Sequence, residues 1–197
     1  MLMFKKRPNT TQVGSERLPI DPDFRIMCDF NSALKHRDKD ELANVITRFY
    51  PMGLGECSVE DALDAIEKFY ADGTQSGGES GGSSEPVFDF EKDEGYFYAA
   101  FLVAYRIDLY EAPLHWFNFC ALFRGLPDDC KLKQIIGIRA TNMNDLPKYE
   151  KKRYRKLKRI YALDKEEHYN TLEERDAAIL KHVQELREKA KKGGNDQ

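Results

Sequence analysis

The chain has 197 residues, 41% of them hydrophobic and 12% aromatic, with a formal net charge of −3. That suits one domain of ordinary size with tails, and excludes a chain too polar to fold. The charge is uneven: residues 1–72 carry 10 basic and 13 acidic groups, residues 73–146 carry 6 and 11, and residues 147–197 carry 15 and 10.

Residues 1–20 are polar and contain Pro8, Gly14 and Pro19. Thr10–Val13 and Arg17–Ile20 flank Gly14-Ser15-Glu16, a pattern that fits a small β-hairpin and a disordered arm equally well. The basic start has no apolar run behind it, so no signal peptide is expected. Pro22 then opens a helix capped by Asp21, with Phe24, Met27, Cys28 and Leu34 on one face. Asp38 or Asp40 begins a second helix whose Leu42, Val45, Ile46 and Phe49 recur at helical spacing until Pro51. Ser58 caps a third, with an apolar stripe through Val59, Ala62, Leu63, Ile66, Phe69 and Tyr70.

The stretch 73–86 is rich in glycine and serine and is expected to be a flexible loop within one core rather than a tether between lobes. Residues 96–126 follow, with two nearly unbroken apolar segments, Tyr96 to Tyr105 and Leu114 to Phe123. Each falls short of the roughly 18–20 residues of a membrane span. Apolar on nearly every face, they predict a buried antiparallel helical pair at the centre of an all-α bundle. Tyr96, Phe97, Phe101, His115, Trp116, Phe119 and Phe123 are its expected core residues. Asp128 or Asp129 is expected to cap a helix over CKLKQIIGIRA, with Gly137 permitting a close approach. Pro147 begins a basic helix with Tyr149, Leu157, Ile160 and Tyr161 inward. A last amphipathic helix, about 172–192, sets Ile179, Val183, Leu186 and Ala190 on a narrow seam before a polar tail. The expected organisation is an arm or hairpin over 1–20, a helical core over 21–163, and a C-terminal helix and tail over 164–197.

No catalytic constellation is legible: there is no phosphate-cradling glycine loop, no HExxH and no nucleophile elbow. No cofactor or metal is therefore expected, and the chain is read as non-enzymatic. The four cysteines show no CxxC pair or other metal-ligand spacing, so a reduced, cytoplasmic setting is the default expectation. His115 is read as a buried ring bonded to a neighbouring helix, and the acidic run 91–94 as a solvated first helical turn. Residues 148–159 hold eight basic groups, among them Arg153 and Lys156, against Glu150 alone. Such density suits a solvated face, or one meeting the acidic middle region or an acidic partner, better than nucleic acid, because the chain as a whole stays acidic. The seam at Ile179, Val183 and Leu186 either folds back on its own core or meets a second chain.

The stretches FDFEKDEGYFYAAFLVAYRIDL, LHWFNFCALFRGLPDDCKLKQIIGIR and YRKLKRIYAL, with IDPDFR near the start, together resemble one family. It is the "gene product fifteen" family of tailed phages of Gram-positive hosts, encoded among tail genes and similar to tail assembly chaperones. His115-Trp116, Arg124-Gly125-Leu126-Pro127 and Arg139 carry the resemblance, which spans roughly residues 18–163. Phe117 stands where the family commonly carries a second tryptophan, and the Gly/Ser stretch looks like an addition of variable length. The resemblance implies a host-cytoplasmic chaperone for the tape measure protein that helps recruit tail-tube subunits, with self-association possible and no membrane. The partner contacts expected are Ile179, Val183 and Leu186, with Arg153 and Lys156 as the electrostatic complement. A structural tail or connector component, or a nucleic-acid-binding module using helix 148–159, is the alternative.

Overall fold

A computed structural model describes residues 6–74 and 86–163. Among them run a two-stranded hairpin and seven helices, the expected all-α class with a small N-terminal β-element. Strands β1 (Thr10–Val13) and β2 (Glu16–Pro19) pair antiparallel in the register Thr10↔Pro19 to Val13↔Glu16. Gly14 takes φ +55 in the two-residue turn, which L side chains rarely adopt. Val13, Leu18 and Ile20 are buried, so the hairpin is a lid on the helical core and not a free arm.

Helix α1 (Phe24–His36) begins two residues later than the proline pattern predicts. Asp23, not Asp21, is the N-cap and accepts the Arg25 N–H. The reason is tertiary: Pro22 O accepts from Trp116 N at 2.8 Å, and Phe24 N donates to Leu114 O at 2.9 Å. This Asp23–His115 bridge holds the segment extended and ties the starts of two helices together. Helix α2 (Lys39–Phe49) is capped by Asp38, which takes the Asp40 and Glu41 N–H groups. Ser58 caps α3 (Val59–Thr74) in a reciprocal arrangement with Asp61. Since α3 continues through Thr74, Gly73 is a buried helical residue and not the first residue of a loop.

The remaining helices are α4 (Glu94–Tyr105), α5 (Trp116–Arg124), α6 (Lys131–Ala140) and α7 (Lys148–Ile160). Helix α1 packs on α2 and α5, α3 on α5 and β1, α4 on α6, and α6 on α7. Phe119 of α5 is the hub, with ring centroids 4.6 Å from Phe24, 5.0 Å from Phe101 and 6.0 Å from Phe97. Phe97, Phe101, Trp116 and Phe119 are each at most 3% exposed, while Phe123 and His115 are partly buried.

Tyr96 corrects the expected core: it is 36% exposed, and Val103 on the same helix is 74% exposed. Successive residues turn about 100° around a helix, so Phe97, Ala100 and Phe101 face inward while Tyr96 and Val103 do not. Helix α4 is apolar all round yet covered on one side. In α1, Leu34 is likewise 48% exposed, in the helix's last turn. In α6 neither Asp128 nor Asp129 caps; Cys130 occupies that position without a side-chain bond. A Cβ at Gly137 would meet nothing within 4 Å, so no close approach requires that glycine. The expected helix with Ile179, Val183 and Leu186 lies outside the described residues. None of the described helices is long and apolar enough to cross a membrane.

Candidate partner-binding groove

Helices α1, α2, α4 and α5 and the connector between α4 and α5 converge on a cavity of about 450 Å³. Helix α1 contributes Phe24, Arg25, Cys28, Asp29 and Ser32, and α2 adds Glu41. The segment entering α4 and its first turns supply Phe90, Glu91, Glu94, Phe97 and Tyr98, the 106–115 connector supplies Leu109 and Tyr110, and α5 supplies Phe119. Phe24, Phe97, Leu109 and Phe119 are buried and form an apolar floor. Among the described lining residues, four carboxylates, Asp29, Glu41, Glu91 and Glu94, stand around it against the single cation Arg25.

Each charged group has a definable state of pairing. Arg25 is committed to Asp23 at 2.8 Å, and it also donates to the carbonyls of Tyr110 and Ala112, pinning the connector to α1. Asp29 pairs with Arg48. Glu91 accepts from Ser32 and lies 3.2 Å from His36 Nε2. Among the described residues, the Glu41 carboxylate accepts a side-chain hydrogen bond from the Asn44 amide alone, and that of Glu94 from the Tyr110 hydroxyl alone, at 3.0 Å. That hydroxyl's pKa is raised, first by the bond to Glu94. Burial pushes the Cys28 thiol well above its ordinary range.

Two polar junctions set the geometry around this groove. At the first, His115 N-caps α5: its Nδ1 accepts the Phe117 N–H at 3.0 Å and its Nε2 donates to Pro8 O at 2.9 Å. Both partners fix the neutral tautomer. The ring bonds the N-terminal arm, not the neighbouring helix expected from sequence. Burial lowers its pKa most, the Pro8 carbonyl opposes that, and nearby Arg7 lowers it further. Trp116 donates Nε1–H to Tyr70 O at 3.1 Å and stacks on the Tyr70 ring.

At the second, Asp93 is 1% exposed and holds Arg139 through both carboxylate oxygens. The expected solvated turn over 91–94 is corrected here, because the third residue of the run faces inward as the N-cap of α4. Arg139 also donates to Val87 O at 3.2 Å and to Tyr161 O at 2.6 Å, and Lys158 donates to Arg139 O at 2.8 Å. One guanidinium thus joins the entry to α4, α6 and the end of α7. Asp93 was missed because an acidic run reads as solvated; its pairing with Arg139 joins residues 46 apart and leaves no local signal.

Of the sequence-predicted partner contacts, Arg153 and Lys156 lie exposed one helical turn apart on α7, and neither lines the groove. Helix α7 has no buried residue, and Tyr149 and Ile160, expected inward, are 80% and 58% exposed. The other three candidates, Ile179, Val183 and Leu186, lie outside the described residues.

The family model described as "Bacteriophage Gp15 protein" matches residues 13–163. The chain belongs to this family. The match takes in the hairpin turn, the groove, the Asp93–Arg139 junction, His115 and Trp116, and α7, while Pro8 lies before it. No curated protein and no solved structure matches the chain.

Proposed function

We propose that this Gp15-family chain is a non-enzymatic tail assembly protein that binds the tape measure protein in the host cytoplasm and helps recruit tail-tube subunits. Family membership supports a role in phage structure or morphogenesis. The observation that carries the binding role is the groove, an apolar floor left open beside exposed Tyr110 and ringed by carboxylates. Covering apolar segments of a long helical client removes their aggregation hazard, and a groove is suited to holding a helix reversibly. Release as the tube closes calls for moderate affinity spread over several contacts.

Co-expression with the tape measure protein tests the proposal by pull-down and by the client's solubility. Co-purification and a soluble client are expected. A client that is equally soluble alone, with no co-purification, overturns the proposal. Presence of the chain in purified virions would instead favour a structural tail component.

A second reading, nucleic-acid binding, is favoured by α7, where Lys148, Lys152, Arg153, Arg155, Lys156 and Arg159 are all exposed. It requires DNA binding that weakens steeply with salt and is lost on neutralising Lys152, Arg153, Arg155 and Lys156.

A further inference from the structure

We infer that the groove takes an amphipathic helical segment that is basic: a large apolar side chain on the Phe24–Phe97–Phe119 floor, with Lys or Arg facing Glu41 and Glu94. The client-binding reading supplies the partner's name, while its chemistry rests on charge and shape. Four carboxylates stand over an apolar floor, and the one cation among the lining residues is already held by Asp23. Glu41 and Glu94 take part in no ion pair among the described residues, and their hydrogen bonds come from a neutral amide and a neutral hydroxyl.

A neutral apolar occupant would strip water from these carboxylates without compensation, and an acidic one would add repulsion. A basic occupant supplies the missing cations, so the charge pattern selects for it. Secondary structure is selected as well. Among the described residues no strand lines the groove, so an extended segment would find no ladder of backbone partners in them. A helix satisfies its own backbone and projects side chains at i, i+3 and i+4.

The test uses the full chain and a fluorescent amphipathic helical peptide of Leu and Lys, about 18 residues long so that the helix is stable. Its counterpart has Glu in place of Lys, and anisotropy reports binding. Saturable binding of the Lys peptide but not the Glu peptide is expected. Glu41→Gln/Glu94→Gln should weaken it about tenfold or more, whereas Glu60→Gln/Glu67→Gln, on the exposed side of α3, should leave it unchanged. Ser32→Trp, which fills the mouth without altering charge, should weaken it too.

Equal losses from both acidic pairs would mean diffuse attraction and overturn the inference, as would binding indifferent to Ser32→Trp. Sedimentation showing a self-associated species that Glu41→Gln/Glu94→Gln disperses would also overturn it, by giving the groove to α7 of a second copy. The two levels separate cleanly. If these variants still capture the tape measure protein, the groove inference falls and the client reading stands. If the wild-type chain ignores the tape measure protein yet binds the Lys peptide as described, only the client's identity falls.

Discussion

Adding one carbon at Gly73 would place it 2.2 Å from Trp116 Nε1 and 2.5 Å from Trp116 Cδ1. The indole is 1% exposed and bonded to Tyr70 O, so it has nowhere to yield. Gly73→Ala should therefore destabilise by about 1–3 kcal/mol through overpacking, although alanine is the better helix former; urea unfolding will measure it. His115 makes a second prediction. Its folded-state pKa lies below the ordinary 6.5 because burial disfavours the charged ring. The unfolded chain therefore binds this proton more readily, so the contribution is complete above about 6.5 and is lost as pH falls through the lowered folded value. Protonation also removes the Nδ1 lone pair that caps Phe117 N–H. His115→Asn keeps a capping oxygen without titrating. Its stability should fall less than wild type between about pH 7 and pH 5, as compared by urea midpoints. Neither role was legible locally: Gly73 opens a Gly/Ser-rich string and looks like loop, and a histidine before tryptophan looks like core.

Helix boundaries follow long-range partners as much as local caps. Ser58 caps where its spacing says it should, and Asp38 is the one of the two candidates, Asp38 and Asp40, that caps α2, because the acceptors of Ser58 and Asp38 serve N–H groups two and three residues on. Asp21-Pro22 has the same local credentials, yet the bridge to α5 keeps that segment extended and moves the cap to Asp23. The Asp93–Arg139 pair shows the energetic side of such ties, with side chains 2% and 10% exposed. Arg139→Met strands a buried carboxylate and should cost about 3–5 kcal/mol, while Asp93→Leu/Arg139→Met should recover part of that loss. Since the Arg139 guanidinium also holds Tyr161 O at the end of α7, the single variant should speed amide exchange across α7 more than across α3. Uniform acceleration would show that the pair stabilises the fold without specifically anchoring α7.

Hairpin, α1, α2, α3, α4, α5 and α6 all contribute to one buried cluster, from Val13 through Leu132. Trp116 is the largest fully buried side chain in it. Trp116→Ala should cost about 3–5 kcal/mol. Because the hairpin's Val13 and Leu18 belong to the same cluster, a single cooperative transition should shift together for signals from β1 and from α6. Separate midpoints would show that the hairpin is an independent unit. A retained melting temperature would show that the indole contributes little to packing.

Periodicity and capping residues were enough to specify the helical class and most elements, since 3.6-residue spacing and side-chain caps act between near neighbours in the chain. The motifs around His115-Trp116 and Arg139 were enough to point to the family, because their order is a property of the string. Local pattern had no access to which side of α4 is covered, to the inward turn of Asp93, or to the meeting of Glu41, Glu94 and Phe119 around one groove. Those depend on how packed elements place residues tens of positions apart, and burial free energy is settled by that three-dimensional neighbourhood.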